Sequence, residues 1–210
     1  MAKYTIKKGR HYNNSKVRFI ISILLGLVNG EVVRRTFLMH LSKTMTRYVY
    51  FSKECWYTKD ELDKDENGKP LTGWNKLFGF FGFLIHMFSG RLVWQPVWNT
   101  NGLIEVGLYV YNKGSWSYDH IANVRCHTIN KMGVIANKGV IRTQSYYEGF
   151  VYVDNQRMYD ITLAEKVPHF LKAEPYFGGQ SEAPNIMSIY LYNPLTYKLF
   201  KKWIHKRHGI

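Results

Sequence analysis

The sequence predicts an all-β fold: an antiparallel β-sandwich or jelly roll with a short C-terminal amphipathic helix. Three observations carry this. Runs rich in Val, Ile, Tyr, Phe and Thr recur roughly every ten residues, and Gly, Asn, Asp and Pro separate them. In 210 residues, 46% hydrophobic content with 34 aromatic side chains suffices for one sizeable core and argues against disorder. Neither a Gly triplet nor a sustained heptad is present, which excludes collagen and coiled coil.

In chain order, strands are expected over 4–8, 17–28, 32–39, 45–51, 76–87, 91–98, 103–111, 118–128, 133–136, 140–145, 147–153, 157–163 and 186–192. Asn29-Gly30, Asn67-Gly68 and Asn101-Gly102 are Asn-Gly pairs, read as tight hairpins in which both residues take positive φ. Ser89-Gly90, Lys113-Gly114, Lys138-Gly139 and Asp154-Asn155 mark further turns. Asn193-Pro194 supplies an N-cap and a first-turn proline, after which Leu195, Leu199 and Trp203 fall on one helix face among lysines. The chain reads as one sandwich domain over 1–192, with its longest excursion an acidic loop over 58–73, followed by a basic tail over 193–210.

Two apolar stretches invite a membrane reading. Residues 19–28 are too short for a helical span, and 77–98 contain Arg91, Pro96, Gly79, Gly82, Ser89 and Gly90, so buried strands explain both better. No signal peptide is visible, because the basic start runs into Asn13-Asn14-Ser15, and no membrane span is expected. Cys55 and Cys126 lie outside any metal-like spacing and read as reduced thiols of a cytosolic chain.

Charge is unevenly placed. The net charge is +14, yet residues 60–66 hold five acids and one base. Residues 3–18 carry six bases and no acid, and 198–208 carry five bases, two histidines and no acid. Lys7, Lys8, Arg10, Lys198, Lys201, Lys202, Lys206 and Arg207 are therefore expected to face a polyanion: nucleic acid, an acidic protein surface or an acidic glycan.

Five stretches together resemble a group of small uncharacterised single-domain proteins of gut bacteria and their tailed phages. They are Lys7-Lys8-Gly9-Arg10-His11-Tyr12, Trp74-Asn75-Lys76-Leu77-Phe78-Gly79, Ser89-Gly90-Arg91-Leu92-Val93-Trp94, Ile104-Glu105-Val106-Gly107-Leu108-Tyr109-Val110-Tyr111 and Pro175-Tyr176-Phe177-Gly178-Gly179-Gln180-Ser181-Glu182-Ala183-Pro184. The likeness spans residues 4–192. It implies a jelly-roll or concanavalin-like sandwich in a phage-linked setting, either the infected cell's cytoplasm or the virion, and it implies no activity.

Several constellations remain. Asp63, Asp65 and Asn67 followed by Gly68 look like the start of a calcium loop, but Trp74 stands where the closing Glu belongs, so a solvated hairpin tip is the better reading and no metal or other cofactor is expected. The glycine-bearing loop 175–184 reads as a structural cap, or as a ligand rim through Gln180, Ser181 and Glu182. Trp94, Trp98, Tyr109, Tyr111, Trp116 and Tyr118 read mostly as core, because alternation sends half of each strand inward; the alternative is that, beside Arg91, Gln95 and Asn99, they stack sugar rings and bond a uronate. Polysaccharide β-elimination needs such a neutraliser plus a base, for which Arg91, Gln95, His86 and Tyr109 have the right types. Motifs of Ser-His-Asp catalysis, Walker loops and dinucleotide sites are missing.

The expected function is a non-catalytic structural or binding sandwich, a phage assembly part docking on acidic protein, DNA or a second copy of itself. The alternative is a carbohydrate-binding or lyase-like sandwich in which Arg91, Gln95, Tyr109, Gln180 and Glu182 hold an acidic glycan.

Overall fold

Period-two alternation of buried and exposed positions builds the molecule. The computed structural model describes residues 2–9, 44–82, 88–112, 115–141, 144–154, 156–163, 170–173, 175, 177–178 and 181–210. In chain order these form β1 (Ala2–Ile6), β2 (Thr44–Phe51), β3 (Asn75–Gly82), β4 (Phe88–Pro96), β5 (Leu103–Asn112), β6 (Ser115–Arg125), β7 (Ile129–Ile141), β8 (Gln144–Val153), β9 (Gln156–Leu163), β10 (Phe170–Ala173), β11 (Met187–Tyr192) and the helix α1 (Pro194–His208). One sheet has six strands in the order β1-β11-β2-β7-β8-β9, and the other has five in the order β10-β3-β4-β5-β6. Every pairing is antiparallel. The fold is thus the expected all-β sandwich with a C-terminal helix.

The core lies between the sheets. Val49 and Phe51 of β2 and Ile189 of β11 meet Leu92 and Trp94 of β4 and Ile104 and Leu108 of β5, all fully buried. Phe51 and Trp94 touch across the gap with ring centroids 5.5 Å apart. Burying each such side chain contributes roughly 1.5–3 kcal/mol. Trp94 is therefore core rather than ligand platform.

Some elements depart from the sequence expectation. Lys138-Gly139 is not a turn: β7 runs through it, and its hairpin to β8 closes beyond Ile141, which pairs with Gln144. The strand β10, which pairs with β3, carried too short an apolar run to be anticipated. At Asn67-Gly68 and Asn101-Gly102 only the glycines take positive φ. Side-chain and backbone bonds make those turns instead. Asp65 Oδ1 accepts from Asn67 N at 2.9 Å and Lys69 N at 2.8 Å, and Val97 closes on Leu103 at 2.9 Å. Asp154 takes positive φ at the two-residue turn between β8 and β9 as expected. The expected strands over 17–28 and 32–39, and the pair Asn29-Gly30, lie outside the described residues. Cys55 is buried, Cys126 is half-buried, and both are free thiols. Burial pushes the Cys126 thiol up to about 11 and the Cys55 thiol higher still, so neither is a reactive thiolate.

The acidic loop is stapled down by its own acids. Glu61 Oε2 accepts from Thr58 N at 2.7 Å, and its other oxygen accepts from Asn185 Nδ2 at 3.1 Å. Asp63 Oδ2 accepts from Ser181 Oγ at 3.1 Å and from Glu182 N at 2.8 Å. Beneath them Asn75, fully buried at the start of β3, donates to Tyr57 Oη at 3.0 Å and accepts from Gly178 N at 3.0 Å. Phe177 is buried beside Tyr57, with ring centroids 5.8 Å apart, so the described residues of the 175–184 stretch cap the end of the sandwich.

The helix lies on the outer face of the six-stranded sheet, on a layer of tyrosines. Asn193 Oδ1 caps it, accepting from Thr196 N at 2.7 Å. Tyr197 stacks on Tyr48 at 3.8 Å, and His208 stacks on Tyr50 at 3.8 Å while bonding Tyr192 Oη at 2.6 Å. Burial, with Arg207 and two further histidines nearby, lowers the His208 pKa, so docking favours the neutral imidazole. That contribution is present above the ordinary histidine value and is lost as pH falls below it.

Asn75→Ala leaves the Gly178 amide and the Tyr57 hydroxyl buried without partners. It is expected to cost about 2–4 kcal/mol, read as a lower urea midpoint at unchanged m-value.

Candidate functional site

The outer face of the five-stranded sheet gathers the chemistry. Antiparallel register sets two rows across it. Gly79, Arg91, Tyr109 and Tyr118 form one, and Lys76, Val93, Gly107 and His120 form the other. Two bulges aim the side chains. A register shift between Lys76 and Phe78 sends Lys76 outward while Leu77 and Phe78 are both buried. A second shift, opposite Val106 and Gly107, accommodates buried Ile121 and leaves His120 on the outer side.

Lys76 is the unusual residue. It is 8% exposed, donates from Nζ to Tyr118 Oη at 2.9 Å, and lies over the rings of Tyr109 at 4.1 Å and Tyr118 at 4.7 Å. The Arg91 guanidinium lies 6.0 Å from the same Tyr109 ring. Burial first, and the Arg91 charge second, push the Lys76 pKa down to about 7. Among the described residues no carboxylate pairs with Lys76. The Tyr118 phenol is raised, mainly by burial and then by Tyr109.

Aromatic walls complete the face. The Trp74 ring packs against Gly107 and runs nearly parallel to Tyr118, with planes 7° apart and centroids 6.0 Å apart. Gly107 makes room for it, since a Cβ there would stand 2.8 Å from Trp74 Cη2. Gly79 on β3 serves a different purpose: a Cβ there would stand 2.3 Å from the Gly90 carbonyl oxygen of β4, so the close approach of those two strands needs a glycine. Trp116, 65% exposed, meets Tyr118 edge-on at 5.7 Å. Further along the face, Gln95 Nε2 donates to Glu105 Oε2 at 2.7 Å, and Glu105 Oε1 lies 2.8 Å from His120 Nδ1.

Of the residues expected to bind ligand, Arg91 and Tyr109 are direct cross-strand partners, and Gln95 shares their face within the Glu105–His120 chain. Glu182 sits on the capping loop at the end of the sandwich, where its amide donates to Asp63 Oδ2 at 2.8 Å. Ser181, in the same loop, is buried and donates to Asp63 Oδ2. Gln180, His86 and Arg10 lie outside the described residues. The polyanion set belongs elsewhere: Lys7 and Lys8 are exposed after β1, while Lys198, Lys201, Lys202, Lys206 and Arg207 are exposed on α1, over the other sheet. Sequence reasoning missed Lys76, Trp74 and the Glu105–His120 pair; the available signal was a lysine inside an otherwise apolar strand. Among the described residues no His, Cys, Asp and Glu cluster is arranged to hold a metal, and no helix is long and apolar enough to cross a membrane.

A folded pKa of about 7 against 10.5 disfavours charging Lys76 by roughly 5 kcal/mol. The sign follows. The unfolded chain binds this proton more tightly, so its contribution to stability rises from pH 7 towards 10 and is lost as pH falls through 7. Lys76→Met, which removes the buried charge, is expected to stabilise the fold at pH 7 by about 1–3 kcal/mol and to flatten the rise in melting temperature between pH 7 and 9. Thermal melts across that range check both.

No protein-family model and no curated protein sequence matches this chain.

Proposed function

We propose that this protein is a non-catalytic binding sandwich that holds an acidic glycan on the outer face of its five-stranded sheet. The observation that carries the reading is the pairing of Lys76 and Arg91 over one tyrosine ring, on a face flanked by Trp74 and Trp116. Burial and the neighbouring Arg91 charge disfavour protonation of Lys76, and a uronate carboxylate or sulfate arriving at the pair offsets that cost and holds the amine charged. Arg91 offers a planar fork suited to a carboxylate, and Lys76 a point charge. Trp116 presents an exposed ring for the C–H face of a sugar, and the Gln95–Glu105–His120 chain offers polar groups for hydroxyls one or two sugars away. The resemblance noted in the sequence sets such a module in a tailed phage or its host cell, where it acts as a particle or assembly part. Notably, three of the resembling stretches, 74–79, 89–94 and 104–111, largely coincide with β3, β4 and β5, three of the four strands that build this face.

The test is a binding panel of oligogalacturonate, a sulfated oligosaccharide, a neutral oligosaccharide and a short DNA duplex. Acidic oligosaccharides are expected to bind at moderate salt and neutral ones weakly. Arg91→Ala and Lys76→Met are each expected to lose tenfold or more in affinity with the fold intact. Duplex binding equal to glycan binding, unchanged in both variants, points instead to docking driven by net charge. Growth of an unsaturated uronate end, read by ultraviolet absorbance, would replace binding with cleavage.

A further inference from the structure

The crest of α1 is a second surface, independent of the glycan face and packed over the other sheet. Leu195, Leu199 and Trp203 recur at four-residue spacing and line one ridge. They are 66%, 65% and 53% exposed, with Phe200 beside them at 55%. Lys198, Lys202 and Lys206 repeat at the same spacing and form a parallel exposed row. Arg207 borders the ridge at its far end, 5.2 Å over the Trp203 ring, and α1 contains no acid. The inner side is already taken up by Tyr197, Ile204 and His208 on the tyrosine layer. At Phe200 the backbone leaves helical geometry (φ −116°, ψ 20°), beside an apolar groove lined by Tyr192, Thr196, Phe200, Trp203 and Ile204.

We propose that this crest is a peripheral anchor that lies in the interfacial layer of an anionic lipid bilayer. Charge and shape choose this occupant. A soluble polyanion would neutralise the lysines but leave the apolar ridge in water, and an uncharged apolar partner would desolvate five cations. A rigid protein must supply a groove matched to a ridge that protrudes. A bilayer interface deforms around the ridge, and lysines on long stems reach the phosphates while keeping their water. Lys3, 5.6 Å over the Tyr190 ring that Arg207 also covers at 5.5 Å, adds one more cation at the same end.

Co-sedimentation with vesicles tests this. Wild type is expected to partition onto phosphatidylglycerol–phosphatidylcholine vesicles and not onto phosphatidylcholine alone. The variant Leu195→Ser, Leu199→Ser, Trp203→Ser keeps every charge, and Lys198→Gln, Lys202→Gln, Lys206→Gln keeps the ridge. Each is expected to lose tenfold or more in partitioning with an unchanged melting temperature, since all six side chains are exposed. A ridge variant that partitions like wild type assigns the attraction to net charge alone and overturns the proposal. So does a wild type that ignores anionic vesicles, or one that forms a salt-resistant dimer abolished by the ridge variant, because then a second copy covers the crest.

Discussion

A lysine almost closed off from solvent, with tyrosine faces and an arginine for company, is the constraint around which the five-stranded sheet is arranged. Lys76 donates one hydrogen bond to Tyr118 and makes two ring contacts, which is less than an ammonium loses on leaving water. Its depressed pKa measures that deficit. A position that costs stability in the ligand-free protein is a functional candidate, because an arriving anion supplies what the fold withholds. The core, by contrast, asks nothing of this residue, since Leu77 and Phe78 fill it from the same strand.

Much of the surrounding structure holds that arrangement in place. The β3 bulge turns Lys76 outward, and Asn75 next to it is locked by Tyr57 and by the Gly178 amide. The capping loop thus reaches the base of the site through one buried side chain. The acids of the loop over 58–73 fasten the same cap from outside, through Asp63 and Glu61. What looked in sequence like a solvated acidic tip is, at Asp63, a clasp. Gly107 gives Trp74 its seat, and so links β5 to the aromatic wall. The helix uses the other sheet, which leaves the two surfaces physically separate.

Legibility in the sequence followed local physics. Strands with clean alternation and caps such as Asn193 were readable, because the pattern that names them is contained within a few residues. Arg91 and Tyr109 were found by residue type, and register then made them neighbours. Lys76 was passed over because a bulge, which no alternation rule anticipates, decides which way it faces. The Glu105–His120 contact joins residues fifteen apart across a hairpin, and it too depends on a register shift. Lys138-Gly139 misled because a glycine inside a long strand carries the same local signal as a turn.

The central claim is that the buried Lys76 amine becomes a charged partner when an anion arrives, so the decisive measurement is proton uptake on binding. Oligogalacturonate is titrated calorimetrically at pH 8 in two buffers of different ionisation enthalpy. With Lys76 near 7 in the free protein and held charged in the complex, uptake approaching one proton per site is expected, with affinity falling towards tenfold per pH unit above neutrality. Binding with no net proton exchange, or uptake that survives in Lys76→Met, would contradict the account.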